Sequence, residues 1–127
     1  MKPVLVVTGG SRGIGAATAR LAAERGYSVC LNYLRNADAA EAVAADVRRA
    51  GVEALAVQAD VGVEADVVRL FKECDAKLGR LAALVNNAGI LETHTRVEKM
   101  DAGRLQRVLA ANEIGRASCR ERVYAIV

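Results

Sequence analysis

Thr8-Gly9-Gly10-Ser11-Arg12-Gly13-Ile14-Gly15 is a glycine-rich turn set between two unlike patterns. Before it, Val4–Val7 is an unbroken apolar run, the pattern of a strand buried on both faces. After it the apolar residues recur at helical spacing: Ile14, Ala17, Leu21 and Ala22 share one face, with Arg20 and Glu24 off it. A diphosphate needs backbone N–H groups pointed at it, no side chain in its way and the positive end of a helix dipole. Gly9, Gly13 and Gly15 meet those needs. Taken alone, the same glycines also suit a tight strand-to-helix turn with no ligand.

Working outward, Gly26 predicts a left-handed stop to the first helix. Ser28–Tyr33 reads as a second strand. A second helix is expected over 38–50, with Ala40, Val43, Val47 and Ala50 inward and Gly51 as its stop. A strand over 52–59 follows, then a helix over 63–78 whose stripe is Val67, Leu70, Phe71, Cys74 and Leu78, stopped by Gly79. Leu81–Val85 is a fourth strand, closed by Asn86-Asn87-Ala88-Gly89. A polar loop over 91–99 leads to a fourth helix from near Asp101, with Leu105, Val108 and Leu109 on one face. Strict β-α alternation with short links implies an α/β fold: a Rossmann-type, doubly wound parallel sheet with right-handed crossovers and strand order 3-2-1-4. In that architecture the first strand-to-helix turn is where dinucleotides bind, although the spacing here is G-x-x-x-G-x-G rather than G-x-G-x-x-G.

Composition bounds the alternatives. The 127 residues suffice for one domain, and 53% apolar with 26% charged residues is an ordinary globular balance. The net charge of +3 is scattered, with no basic run interleaved with aromatics, so no nucleic-acid partner is expected. Cys30, Cys74 and Cys119 have no metal-ligand spacing, and an odd count without a signal-peptide pattern reads as reduced thiols in the cytoplasm. No apolar run approaches membrane-spanning length, so no membrane partner is expected either. His94, the single histidine, sits in the polar loop and is expected to be solvent-exposed rather than catalytic.

The Thr-Gly-x-x-x-Gly-x-Gly turn resembles that of the short-chain dehydrogenase/reductase family, and three later segments agree. Asp60-Val61 looks like the family's adenine-contacting pair. Asn86-Asn87-Ala88-Gly89 looks like its N-N-A-G motif, in which Asn87, Ala88 and Gly89 let the backbone run under a ribose. Asn112 matches the family's helix asparagine, the only catalytic residue carried over. On their own, Asp60 is also a plain turn residue, and Asn86 and Asn87 are also ordinary strand-end residues. The resemblance covers residues 1–112. It implies an NAD(P)-dependent oxidoreductase acting on a small-molecule carbonyl or hydroxyl group, with Gly9, Ser11, Arg12, Gly13, Ile14 and Gly15 at the cofactor.

The second strand ends Leu31-Asn32-Tyr33-Leu34-Arg35, with no acid before Asp38. An acid at that place binds a ribose 2′-OH, whereas an Arg favours a 2′-phosphate. Arg12 and Arg35 converging on one phosphate would give charge-assisted contacts, so NADP(H) is expected over NAD(H); the other reading is two solvated surface charges. Tyr33 is expected beside the adenine.

The family's serine and its tyrosine with a lysine four positions later are absent: no lysine follows Lys99, and Ser118 lies too near Asn112. The resemblance implies the tyrosine as general acid/base, the lysine lowering its pKa and the asparagine holding a water relay. Residues 113–127 break the apolar periodicity, with Gly115 in mid-helix and three arginines close together, and resemble an in-frame translation of a sequencing-library adaptor. The expectation is therefore a Rossmann-type sheet truncated after its fourth strand and following helix, with 113–127 a tail foreign to the family. The whole protein is expected to be a homotetramer, and this fragment to be inactive, marginally stable and unable to assemble.

Overall fold

The computed structural model describes residues 2–89 and 96–126. The expected alternation is present: β1 (Val4–Val7), α1 (Gly13–Glu24), β2 (Ser28–Tyr33), α2 (Ala37–Arg49), β3 (Ala54–Gln58), α3 (Glu64–Lys77) and β4 (Leu81–Val85). A short 3₁₀ turn (Val97–Lys99) precedes α4 (Ala102–Leu109), which runs through a π-helical turn (Ala110–Ile114) into α5 (Gly115–Ile126). His94 and most of the 91–99 loop lie outside the described residues. The four strands form one sheet in the order β3-β2-β1-β4, all pairs parallel. This is the Rossmann-like architecture expected from the alternation.

Alternate residues of the apolar strands feed two cores. Leu5, Val7, Val29 and Leu31 face α1 and α2, where they meet Ala16, Ala19, Ala23, Ala40, Val43, Ala44 and Val47. Val4, Val6, Cys30 and Val57 face α3 and α5, against Val67, Leu70, Phe71, Cys74 and Cys119. Burial on both faces is why these strands read as unbroken apolar runs rather than alternating ones. Each fully buried Val or Leu contributes about 1.5–3 kcal/mol of transfer free energy.

Two expectations are corrected. The buried face of α1 is Gly15, Ala16, Ala19, Ala22 and Ala23. Ile14 and Leu21, expected inward, are 78% and 52% exposed. The close approach of this helix to the sheet admits small side chains and turns the large ones out. Ala50 caps α2 and is exposed, while Ala44 takes its place inside. On α4, Leu105 and Leu109 are exposed among the described residues, so its apolar face is uncovered. The helix stops stand: Gly26, Gly51 and Gly79 all have positive φ, the conformation that ends a helix cheaply only at glycine.

Candidate functional site

With four parallel strands, every C-terminal strand end opens on the same edge of the sheet. Sheet growth reverses at β1, with β2 and β3 on one side and β4 on the other, and that reversal leaves a crevice between strand ends. The glycine turn, the end of β2, Asp60-Val61 and Asn86-Asn87-Ala88-Gly89 all converge there.

The ends of β1 and β4 are tied together. Thr8, 1% exposed, accepts at Oγ1 from the N–H groups of Asn87 (3.1 Å) and Ala88 (2.9 Å). The Asn87 amide donates to the carbonyls of Thr8 and Gly9, both at 3.1 Å. A Cβ on Gly9, whose φ is +66°, would lie 3.1 Å from the Ala88 Cα. Asn87 and Ala88 thus hold the glycine turn directly.

The glycines of the turn divide the labour. Gly13 has φ +56°, and apart from its chain neighbours and its own helix backbone no atom lies within 4 Å of where its Cβ would be. Arg12, the N-cap of α1, makes no side-chain cap bond, whereas α2 and α4 are capped by Asn36 and Asp101. The first N–H groups of a helix have no intrahelical acceptor, so the rim at Arg12, Gly13 and Ile14 is donor-rich, exposed and free of obstruction. Gly15 also serves packing. Its Cβ would lie 2.2 Å from the Gly9 carbonyl oxygen, so glycine there lets α1 sit down on the turn. Ser11 is half-buried beside them.

At the end of β2, Tyr33 is half-buried and packs against the core on the α1/α2 side. Arg35 is exposed and directly precedes Asn36, whose Oδ1 accepts from Ala39 N at 3.0 Å to start α2. The Gln58 amide donates to the Leu34 carbonyl (3.1 Å), fixing the chain between the two. Asp60 serves its own turn: Oδ1 accepts from Gly62 N at 2.8 Å, and its N–H donates to Asp66 Oδ2 at 2.9 Å. Val61 is buried, and its carbonyl oxygen is 2.8 Å from the position a Cβ would take on Gly115. Gly115, given no role in the sequence, is therefore a close-packing point between α5 and the Asp60-Val61 segment.

Asn112 lies in the π-helical turn, and its Oδ1 is 3.1 Å from the position a Cβ would take on Gly89. The helix asparagine and the Asn87-Ala88-Gly89 segment thus meet at the crevice. Asn86 donates to the Arg116 carbonyl (3.2 Å), and its buried Oδ1 has no partner among the described residues. Thr8 and Asn32 are the site residues that sequence reasoning left unassigned. The available signal was a polar side chain inside or just after an apolar strand. Among the described residues no cluster of three or more His, Cys, Asp or Glu side chains could hold a metal ion. No described helix is long and apolar enough to cross a membrane.

A family model described as short chain dehydrogenase matches residues 3–126. An uncharacterized oxidoreductase of Escherichia coli (strain K12), YgfF, is 49% identical over 121 residues, which cover 94% of this chain and 49% of that protein. The 3-oxoacyl-[acyl-carrier-protein] reductase FabG of Staphylococcus epidermidis is 37% identical over 123 residues, covering 97% of this chain and 50% of the reductase. Among solved structures, a short-chain dehydrogenase/reductase from Serratia marcescens superposes with a TM-score of 0.93 at 36% identity, over 98% of this chain and 51% of its own. The chain spans about half the length of these relatives. A family model that runs through nearly every residue, with relatives at this level of identity, decides the matter: the chain belongs to the short-chain dehydrogenase family.

Proposed function

We propose that this chain forms the cofactor-binding part of an NADP(H)-dependent oxidoreductase that acts on a small-molecule carbonyl or alcohol. The observation that carries the reading is the open rim at Gly13, where an uncapped helix start offers N–H groups to an anion. A dinucleotide's diphosphate fits that rim, since nothing stands where a Gly13 side chain would be. Gly9, Ser11, Arg12, Gly13 and Ile14 would line the diphosphate. Asp60 and Val61 would flank the adenine, and Asn87, Ala88 and Gly89 the ribose at the reacting end. The nicotinamide supplies hydride transfer when bound. Asn112 would help hold a water relay. In a cell the protein would work in the cytoplasm, and the whole protein as a homotetramer.

Preference for NADP(H) rests on charge. Tyr33 stands at the end of β2, where an acid would bind a ribose 2′-OH, and the exposed Arg35 lies at the start of α2. Arg12, on the neighbouring turn, is also exposed. Asp38, in the first turn of α2, opposes them with a single charge. Fluorescence titration with NADPH and NADH decides. The expected result is tighter binding of NADPH, with Arg35→Ala costing about tenfold for NADPH and almost nothing for NADH, the loss of one charge-assisted contact. Equal affinities would end the NADP(H) preference, and binding of neither would end the cofactor reading for this chain.

The rival reading is a non-catalytic NADP(H)-binding module. Tight NADPH binding by a full-length protein that turns over no carbonyl substrate would select it.

A further inference from the structure

From the end of β2, Asn32 bonds to the chain just past the ends of both neighbouring strands, β1 and β3. It lies next to last in β2 and is 3% exposed, inside a run otherwise apolar from Val29 to Leu31. A buried amide is costly unless its polar atoms are partnered. Here both ends are used across strands. Oδ1 accepts from Gly9 N at 2.9 Å, and Nδ2 donates to the Ala59 carbonyl at 2.7 Å. Its main-chain carbonyl accepts from Gly10 N at 2.9 Å.

Gly9 is thereby gripped on both sides. Asn32 takes its N–H, and the Asn87 amide donates to its carbonyl. This fixes a peptide whose φ of +66° glycine would otherwise leave loose. It also commits the N–H groups of Gly9 and Gly10 to the protein, so an incoming anion must be met further along, at the open rim near Gly13. The other arm ends on Ala59, the residue before Asp60.

We propose that Asn32 is a positioning residue for dinucleotide binding: it sets the glycine turn before any ligand arrives and couples that turn to the Asp60-Val61 segment. The proposal rests on the dinucleotide reading given above. Asn32→Leu keeps the volume and removes both arms. Asn32→Asp keeps an acceptor for Gly9 N–H and leaves the Ala59 carbonyl without its amide donor.

The experiment is amide hydrogen exchange of the full chain alongside titration with NADPH. In Asn32→Leu, exchange at Gly9 should rise about tenfold or more while Val6 and Val29 stay protected, and NADPH affinity should fall about tenfold, the loss of one buried hydrogen bond. In Asn32→Asp, Gly9 should keep its protection and NADPH affinity should fall less. Unchanged exchange at Gly9 in Asn32→Leu would overturn the proposal. So would faster exchange with undiminished NADPH affinity, which makes Asn32 merely structural. If Asn32→Leu does not fold, Asn32→Asp decides: wild-type NADPH affinity overturns the coupling to Asp60. Failure of the unmodified chain to bind NADPH or NADH sinks the dinucleotide reading and this one together. Binding by the unmodified chain with no loss in either variant sinks this one alone.

Discussion

At the scale of single residues, Gly13 and Gly15, two positions apart at the start of α1, are needed for opposite reasons. Gly15 faces protein: a methyl there would meet the Gly9 carbonyl at 2.2 Å and the Asn87 amide at 2.6 Å. Gly13 faces open space at φ +56°. Gly15→Ala is therefore expected to cost about 2–3 kcal/mol, as overpacking does. Gly13→Ala should cost only about 1 kcal/mol, the strain of a left-handed alanine, yet weaken NADPH binding more than its stability loss explains. Urea unfolding and NADPH titration of the two variants check this, and a Gly13→Ala chain that binds normally would count against an anion at that rim. The glycine spacing was plain in the sequence; which glycine served packing and which access was not, because that depends on where Gly9 and Asn87 lie in space. Thr8 and Asn32 escaped assignment for a similar reason. Their polar atoms act on neighbours 79 and 23–27 positions away in the chain, contacts that no local pattern encodes.

At the scale of elements, strand runs and helix stops were legible because each has a local cause: burial on both faces for the strands, positive φ at glycine for the stops. The inward face of α1 was not, because periodicity favoured Ile14 and Leu21, the larger side chains, whereas close helix-to-sheet packing selected Ala16, Ala19 and Ala23. Periodicity likewise marked Gly115 as a break, yet the helical path continues through a π turn, and α5 packs on the α3 side by Cys119. Extra turns of this kind often lie at functional sites, and this one carries Asn112. Cys119 reports on that packing. Burial pushes its thiol up to about 11, and contact with Cys74, then burial, raises Cys30 well above the ordinary thiol range. Neither thiol should react with an aromatic disulfide reagent near neutral pH until the chain opens. Faster labelling of Cys119 than of Cys30 would show α5 leaving by itself. A raised thiol pKa stabilises the fold in full below the ordinary value of 9.0, and that contribution fades as pH rises toward about 11. Stability measured by urea unfolding should thus fall between those pH values, and fall less in Cys119→Ala. An equal fall in the variant would remove Cys119 as the cause.

At the scale of the whole molecule, the sheet is asymmetric. β3 borders one edge and β4 the other, and β4 has no second neighbour among the described residues. On either side of β4 the covering is thin: Ala83, Leu84 and Val85 are only partly buried, and Leu105 and Leu109 on α4 are exposed. An open parallel strand of apolar residues presents unpaired N–H and C=O groups and is a template for pairing with another chain. Relatives are about twice as long, so in a full-length protein further chain is available to cover this edge. For the 127-residue chain itself, the open edge predicts association that grows with concentration. Ala82, the exposed second residue of Leu81–Val85, is the place to test it. A lysine there leaves both cores untouched and puts a charge on the strand edge, the device natural sheets use against edge pairing. Light scattering should show Ala82→Lys staying monomeric at concentrations where the unmodified chain self-associates, with cooperative melting unchanged. Equal association in both would move the sticky surface from β4 to the exposed face of α4, and a monomeric unmodified chain would mean that these 127 residues already make a self-sufficient surface.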